Sequence, residues 1–410
     1  MISSTRRATA YVLVLASALI VVAVGVAAVA VSRAHLASTA AQADMHAARA
    51  AAIGGIKYGI ANADGSLSWR TLRSTAPEVA SFRSGSTNVS TTVSDPVDAT
   101  LDDDWSDPIQ LTASASLRNA SQTIAARFSP VFRNITGLNA AIAADGDIIL
   151  SAAELDAIGI VASGGSISNT GQSQYATRWS AKGTITGTGY NGTLSPGSSS
   201  PELPSAETIT YLKSIGTRIT YASTGGILDN VVLSESINPY GATNPNGVYY
   251  IECGRSHFYL RNSRIRGTLL ILEPGATCRL EGSLLIEPLL PNLPALVIDG
   301  ATTFATSTAD LSESARNTNF NPTGAPYLGA TDNDKSDLYP SMLAGVVWIN
   351  GNLTVNASGT ACEGALLVSG NLTVYDTLVV RAKAPDAPIP GFGVVSRWSI
   401  DRSSIKRIVD

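Results

Sequence analysis

The chain has 410 residues, a formal net charge of −4, and only 15% charged and 6% aromatic side chains. That is length enough for two or three ordinary domains, and the weakly acidic balance excludes nucleic acid as an electrostatic partner. Charged residues fall well below the usual quarter, which suits an extracytoplasmic β-rich protein better than a cytosolic enzyme.

The first element is an apolar run, Tyr11 to Val31 (YVLVLASALIVVAVGVAAVAV), with Arg6 and Arg7 before it and Arg33 after it. At ~1.5 Å per helical residue it spans roughly 30 Å, the thickness of a bilayer's hydrocarbon layer. The arginine pair keeps the short N-terminus inside, so the reading is a single pass of the inner (cytoplasmic) membrane with the bulk extracytoplasmic. The competing reading is a secretory signal cut near Ala28-Val29-Ala30, but the run exceeds the usual ~7–15 residues of a signal core. A twin-arginine signal fits less well, because Thr9 and Ala10 follow the pair.

Beyond the run, SRAHLASTAAQADMHAARAAAIGGIKYGI is Ala-rich and free of proline, so helix is predicted to continue to about residue 61, at most to Gly65. Leu36, Ala40, Met45, Ala48, Ala52, Ile56 and Ile60, with Ile53 beside them, draw one apolar stripe. Gly54-Gly55 is its expected weak point. The face carrying Leu15, Leu19, Val22, Val29, Leu36, Met45, Ile53 and Ile56 is the candidate surface for packing with lipid or with sister helices.

The segments RRATAYVLVLASALIVV and AARAAAIGGIKYGIA resemble the amino-terminal part of type IV pilin-like proteins and pseudopilins, in particular the large minor-pilin and pilus-assembly group. The resemblance covers about the first 65 residues. It implies a helix that sits in the membrane before assembly and packs among other pilin-like or pseudopilin subunits in a surface filament. The pattern departs from major pilins in that no acidic residue precedes Asp44.

Residues 62–135 are expected to form a small antiparallel sheet. Asn88 to Ser94, Pro108 to Leu117 and Ser121 to Phe128 alternate like half-buried strands, and the DP-x-D-x-x-x-DDD-W stretch between them resembles the small sheet of the same group. The acids Asp95, Asp98, Asp102, Asp103, Asp104 and Asp107 are the oxygen-rich type that binds Ca²⁺, but their spacing does not match a 12-residue calcium loop, and a solvated hairpin is the favoured reading. Asp145-Gly146-Asp147 and Asp332/Asp334/Asp337 are read the same way, so no metal site is expected.

From 136 to 410 short apolar strands are punctuated by Gly, Asn and Ser. GNLTV occurs at 351–355 and again at 370–374, GTLLI at 267–271 returns as GSLLI at 282–286, and GALLV stands at 364–368. Such periods predict a parallel β-helix, a β-solenoid whose coils bury their apolar sides only against one another. A β-sandwich is the alternative and leaves the repeats unexplained. A short helix is expected near 205–216 with Ser205 at its N-cap, and a long loop near 312–342.

Chemistry is sparse. Arg255, His257, Arg261, Arg264 and Arg266 lie near Glu252, Glu273 and Glu281, which alternate singly with apolar residues rather than pairing as hydrolytic carboxylates do. With only three histidines no triad is assembled, so no catalytic, cofactor or metal residue is assigned. Cys253 and Cys278 are candidates for one disulfide, with packed thiols as the alternative. Seven Asn-x-Ser/Thr sequons are by-products of composition.

The expectation is thus a mainly β, non-enzymatic envelope protein without a cofactor. It would assemble through its helix, with membrane, other pilin-like subunits, and an extracellular surface or polysaccharide as partners. The competing class is a membrane-stalked β-helical carbohydrate-binding protein or polysaccharide-degrading enzyme.

Overall fold

The computed structural model describes residues 3–63, 67–102, 107–151, 154–275, 278–356, 359–385 and 392–408. The chain divides into two compact units, one of Met1–Val131 with Arg397–Asp410, the other of Phe132–Ser396.

In the first unit, α1 (Ser3–Ala61) is one unbroken helix. A short helix, α2 (Leu67–Thr75), follows; the expected helix limit at Gly65 lies outside the described residues. Then come β1 (Glu78–Ser84), β2 (Thr87–Ser94), β3 (Ile109–Leu117) and β4 (Ala120–Asn134), joined antiparallel in sequence order. β2 and β3 alternate buried and uncovered residues, the mark of a sheet with one face on a core. That face holds Val89, Val93, Leu111 and Ala113 against Ala52 and Ile56 of α1. β1 was not anticipated, and neither was the strand Gly393–Ile408, which adds to the sheet beside β4. Its Trp398 Nε1 donates to Ala63 O at 2.8 Å. The expected solenoid limit at residue 410 is therefore corrected: the chain leaves the first unit after Val131 and returns to it at Arg397.

The second unit is a parallel β-solenoid whose coils contribute to three columns of strands. On the first column the inward rungs Ile219, Ile251, Ile271, Ile298, Ile349, Val368, Ala144, Ser163 and Ala181 stack in register. Its outward rungs Leu270, Val297, Trp348, Leu367 and Ala143 are buried too, covered by Ile209 and Leu212 of α3 (Ala206–Ser214) together with Ile135, Leu138, Leu293 and Phe392. Double burial is why TLLIL and GALLV are continuously apolar instead of alternating.

The coils do not stack in chain order. Strand Thr360–Val368 pairs with Ile142–Ala144, and its neighbours in the same coil pair with Ile148–Leu150 and Leu155–Ser163. The chain therefore starts in mid-stack, builds coils to one end by residue 196, crosses to the other end through α3, and fills the remainder up to its starting point.

That junction is sealed at one corner. Asn371 N donates to Asn352 Oδ1 at 2.9 Å, Asp147 N to Asn371 Oδ1 at 2.8 Å, Ser166 N to Asp147 Oδ1 at 2.7 Å, and Thr184 N to Ser166 Oγ at 3.1 Å. Each member follows a glycine, and a Cβ on Gly146, Gly165, Gly183 or Gly370 would collide with the side-chain oxygen of the coil before it. The rule at this corner is thus no side chain, then a short acceptor.

The cysteine bridge is not formed. Cys253, Cys278 and Cys362 are free and buried. Cys278 is an inward rung whose partner in register is Phe258; stacking assigns Cys253 and Cys278 to the core, where burial pushes both thiols up to about 12.

Candidate functional site

Among the described residues, most of the exposed large apolar side chains lie on α1. From residue 10 to 43 every residue is exposed, Leu15, Leu19, Val22, Val29 and Leu36 among them. This helix is long and apolar enough to cross a membrane, with a mean hydropathy of 3.0 in its most apolar stretch and none of that stretch buried.

The predicted stripe splits in its second half. Ala48, Ala52 and Ile56 are turned onto the sheet, whereas Met45 and Ile53 are each 41% exposed. Ile56, only 7% exposed, is therefore removed from the outward face. The reason is the sheet itself: it needs a surface of small residues to lie on, and Ala48, Ala52, Gly55 and Gly59 recur at helical spacing to provide it. A Cβ on Gly55 would stand 2.8 Å from Thr91 Oγ1 and 2.8 Å from Val89 Cγ1. The expected weak point of the helix is thus its place of closest approach. Tyr58 rests on Phe82 with ring centroids 5.3 Å apart, and Asp44 meets Arg118 at 3.3 Å.

On the solenoid Glu252, Glu281, Arg261, Arg264 and Arg266, of the charged residues marked in the sequence, pair with opposite charges. Glu252 takes Lys213 at 2.6 Å and Arg218 at 2.8 Å, and the Lys213 hydrogen bond holds its carboxyl below the usual range. Arg261 meets Asp229 at 3.0 Å, Arg279 meets Glu281 at 3.0 Å, and Arg266 pairs with Glu235. His257 lies against Tyr259, centroids 5.7 Å apart. Arg255 and Glu273 both adopt positive φ at coil corners. This is a charge-compensated surface, not a pair of facing acids.

Arg264 is the exception, and sequence reasoning missed it. Although it lies on an outward rung, it is 0% exposed because the excursion 307–341 folds over it. It donates to Phe320 O at 2.8 Å, Ala325 O at 2.7 Å, Pro326 O at 2.8 Å and Glu287 Oε1 at 2.6 Å. Its guanidinium also faces the rings of Tyr327 and Tyr339. The Asn, Pro and Tyr of that segment were legible as an ordered loop; its anchor was not.

The excursion gathers acids that the sequence spaces far apart. Carboxylate oxygens of Glu313, Asp332 and Asp334 lie within 4.8 Å of one another. Burial, then the nearby Asp332, Glu313 and Asp334, raise the Asp337 carboxyl above its ordinary value. Carboxylate oxygens of a second group, Asp95, Asp98 and Asp107, also lie within 4.8 Å of one another; Asp103 and Asp104 lie outside the described residues.

One solenoid column stays uncovered. Its outward rungs Thr303, Thr354, Thr373, Ile149, Ser168 and Thr186 stack in register, beside the corner ladder of Asn352, Asn371, Asp147, Ser166 and Thr184. It is a strip of hydroxyls and amides with little charge.

No family model and no curated protein matches the chain. Among solved structures it is similar to the competence-associated pilin ComZ from Thermus thermophilus, at 12% identity and a TM-score of 0.34 over 80% of this chain and 85% of that one. It is also similar to the ice-binding protein of the Antarctic ascomycete Antarctomyces psychrotrophicus, at 11% identity and a TM-score of 0.20 over 61% of this chain and 99% of that one. A third likeness is to an ice-binding protein from an Antarctic bacterium of the Flavobacteriaceae, at 15% identity and a TM-score of 0.24 over 62% of this chain and 49% of that one. These likenesses are too distant to assign the chain to a family.

Proposed function

We propose that the chain is a non-enzymatic structural subunit of the cell envelope, of minor-pilin or pseudopilin type. It is held in the inner membrane by α1 before assembly and packed among sister helices in a surface filament afterwards. The observation that carries this reading is the division of α1. Its first half is apolar and, among the described residues, covered by nothing, while its second half turns small residues onto an antiparallel sheet. An uncovered apolar helix of that length needs lipid or other helices around it. Arg6 and Arg7 set the direction, with the solenoid outside the cytoplasm.

Single-cysteine cross-linking in membranes tests the proposal, because the three native thiols are buried. Leu19→Cys and Val29→Cys are expected to give adducts with neighbouring subunits, while Ile56→Cys, on the covered face, gives none. Recovery of the intact chain in the soluble fraction, or equal adducts at all three positions, would overturn it.

The uncovered strip of Thr, Ser and Asn favours a second reading, a membrane-stalked carbohydrate-binding protein, since neutral hydroxyl and amide groups suit a polyhydroxylated ligand. Retention of the chain on neutral polysaccharide, lost on Thr354→Arg with Thr373→Arg, would support it.

A further inference from the structure

Charge compensation on the solenoid stops in one cleft. Where α3 lies on the first column, an opening of about 500 Å³ remains between the helix and the ends of the strands it covers. Its apolar lining includes Ile209 of α3 and Leu272, the latter 3% exposed. Register fixes the order of its polar lining. Arg218 pairs with Tyr250, two residues before Glu252; Glu252 pairs with Leu272, and Leu272 with Asp299. Arg218, Glu252, Leu272 and Asp299 therefore belong to four successive coils, each ~4.8 Å from the next.

The two ends of this row differ in what they leave unused. At one end Lys213 Nζ donates to Glu252 Oε1 at 2.6 Å and Arg218 Nη2 donates to Glu252 Oε2 at 2.8 Å. An ammonium has three donors and a guanidinium five, so two cations share one carboxylate and keep donors free. Toward the other end, Asp299 Oδ1 accepts only the neutral Asn350 amide at 2.7 Å. No Lys or Arg among the described residues pairs with Asp299 or with Glu273, which also lines the cleft. Positive charge is in excess at the Arg218 end and negative charge at the Asp299 end, with Leu272 between Glu252 and Asp299.

We propose that this cleft binds a short zwitterionic peptide. Its carboxylate lies on Lys213 and Arg218, its ammonium on Asp299 and Glu273, and its middle residue over Leu272. From the Glu252 coil to the Asp299 coil is two steps, ~9.6 Å. Three extended residues span ~10 Å at ~3.3–3.6 Å each, so a tripeptide bridges the two ends. A simple anion uses one end only, and a neutral sugar matches the charge of neither. All of the lining residues belong to the second unit, and the proposal does not depend on how α1 is packed.

The test is calorimetry of the full chain in detergent with tri-alanine. A dissociation constant on the order of 10⁻³ M is expected for a ligand of that size. N-acetyl-tri-alanine, without the ammonium, and tri-alanine amide, without the carboxylate, are each expected to bind about tenfold more weakly or worse. Glu273→Gln with Asp299→Asn should weaken tri-alanine to the level of the acetylated peptide and leave the acetylated peptide unchanged. Arg218→Gln should do the same with respect to the amide, an asymmetry that misfolding does not produce. Arg279→Gln, whose ion pair lies outside the cleft, should change none of the three. Absence of binding at concentrations tenfold above that range, or equal affinity for the blocked and unblocked peptides, would overturn the proposal. So would tighter binding of maltotriose than of tri-alanine, which would make the cleft a sugar site.

Discussion

Gly54 and Gly55 are adjacent in α1 and have opposite surroundings. A Cβ on Gly54 meets nothing within 4 Å, while one on Gly55 meets Thr91, Val89 and Ala113 at 2.8 to 3.0 Å. Gly54→Ala is therefore expected to stabilise the chain by about 0.5–1 kcal/mol through helix propensity alone. Gly55→Ala gains the same propensity but forces the sheet off the helix, and is expected to destabilise by about 1–3 kcal/mol. Denaturant unfolding of the two variants, monitored on the antiparallel unit, checks the opposite signs. Equal effects would mean that the helix does not sit as close to β2 and β3 as described. The pair was legible in the sequence as a helix defect; which glycine is needed was not, because both read alike until the sheet arrives.

At the scale of the element, the excursion packs on Val232 and Leu285 of the solenoid, accepts hydrogen bonds from Ser234 and Ser283, and is anchored most extensively by Arg264. Arg264, itself fully buried, gives hydrogen bonds to three carbonyls and to the carboxylate of the half-buried Glu287. Arg264→Met keeps much of the stem's volume but leaves three acceptors and the Glu287 charge without their donor. The expected cost is about 3–5 kcal/mol, read as a lower melting temperature together with new proteolytic cleavage within 313–338. Unchanged resistance to protease would refute the anchoring role. Nothing in RNSRIRG distinguishes Arg264 from Arg261 or Arg266, both of which pair on the surface. Outward positions on a strand read as solvent unless another segment covers them, and the covering segment is more than forty residues away in sequence.

At the scale of the whole molecule, the uncovered half of α1 contributes no packing to either unit, since residues 10–43 are exposed throughout. A chain lacking residues 1–43 is expected to melt within about 0.5 kcal/mol of the full chain, as changes away from packed features do, and to move from the membrane fraction to the soluble one. A fall in stability well beyond that would show the helix to be part of the fold rather than a means of attachment.

What the sequence determined by itself was local. Unbroken apolarity between basic flanks specified the helix, alternation specified β2, β3 and most of β4, and literal repeats such as GNLTV specified stacked coils. The same corner also recurs as GDIIL, GSISN and GTITG, in which a glycine and a short acceptor keep the rule while the letters change; matching chemistry rather than identity would have found it. Tertiary structure decided the rest. The order of the coils is not written in any one of them, because each coil offers nearly the same rungs to both neighbours, and so Thr360–Val368 can receive Ile142–Ala144 as readily as a sequential coil. The return of Gly393–Ile408 to the first sheet, the free thiols and the buried Glu313 all depend on which distant segment arrives at an edge or a face. Periodicity reports what a segment can bury; only the folded chain selects what buries it.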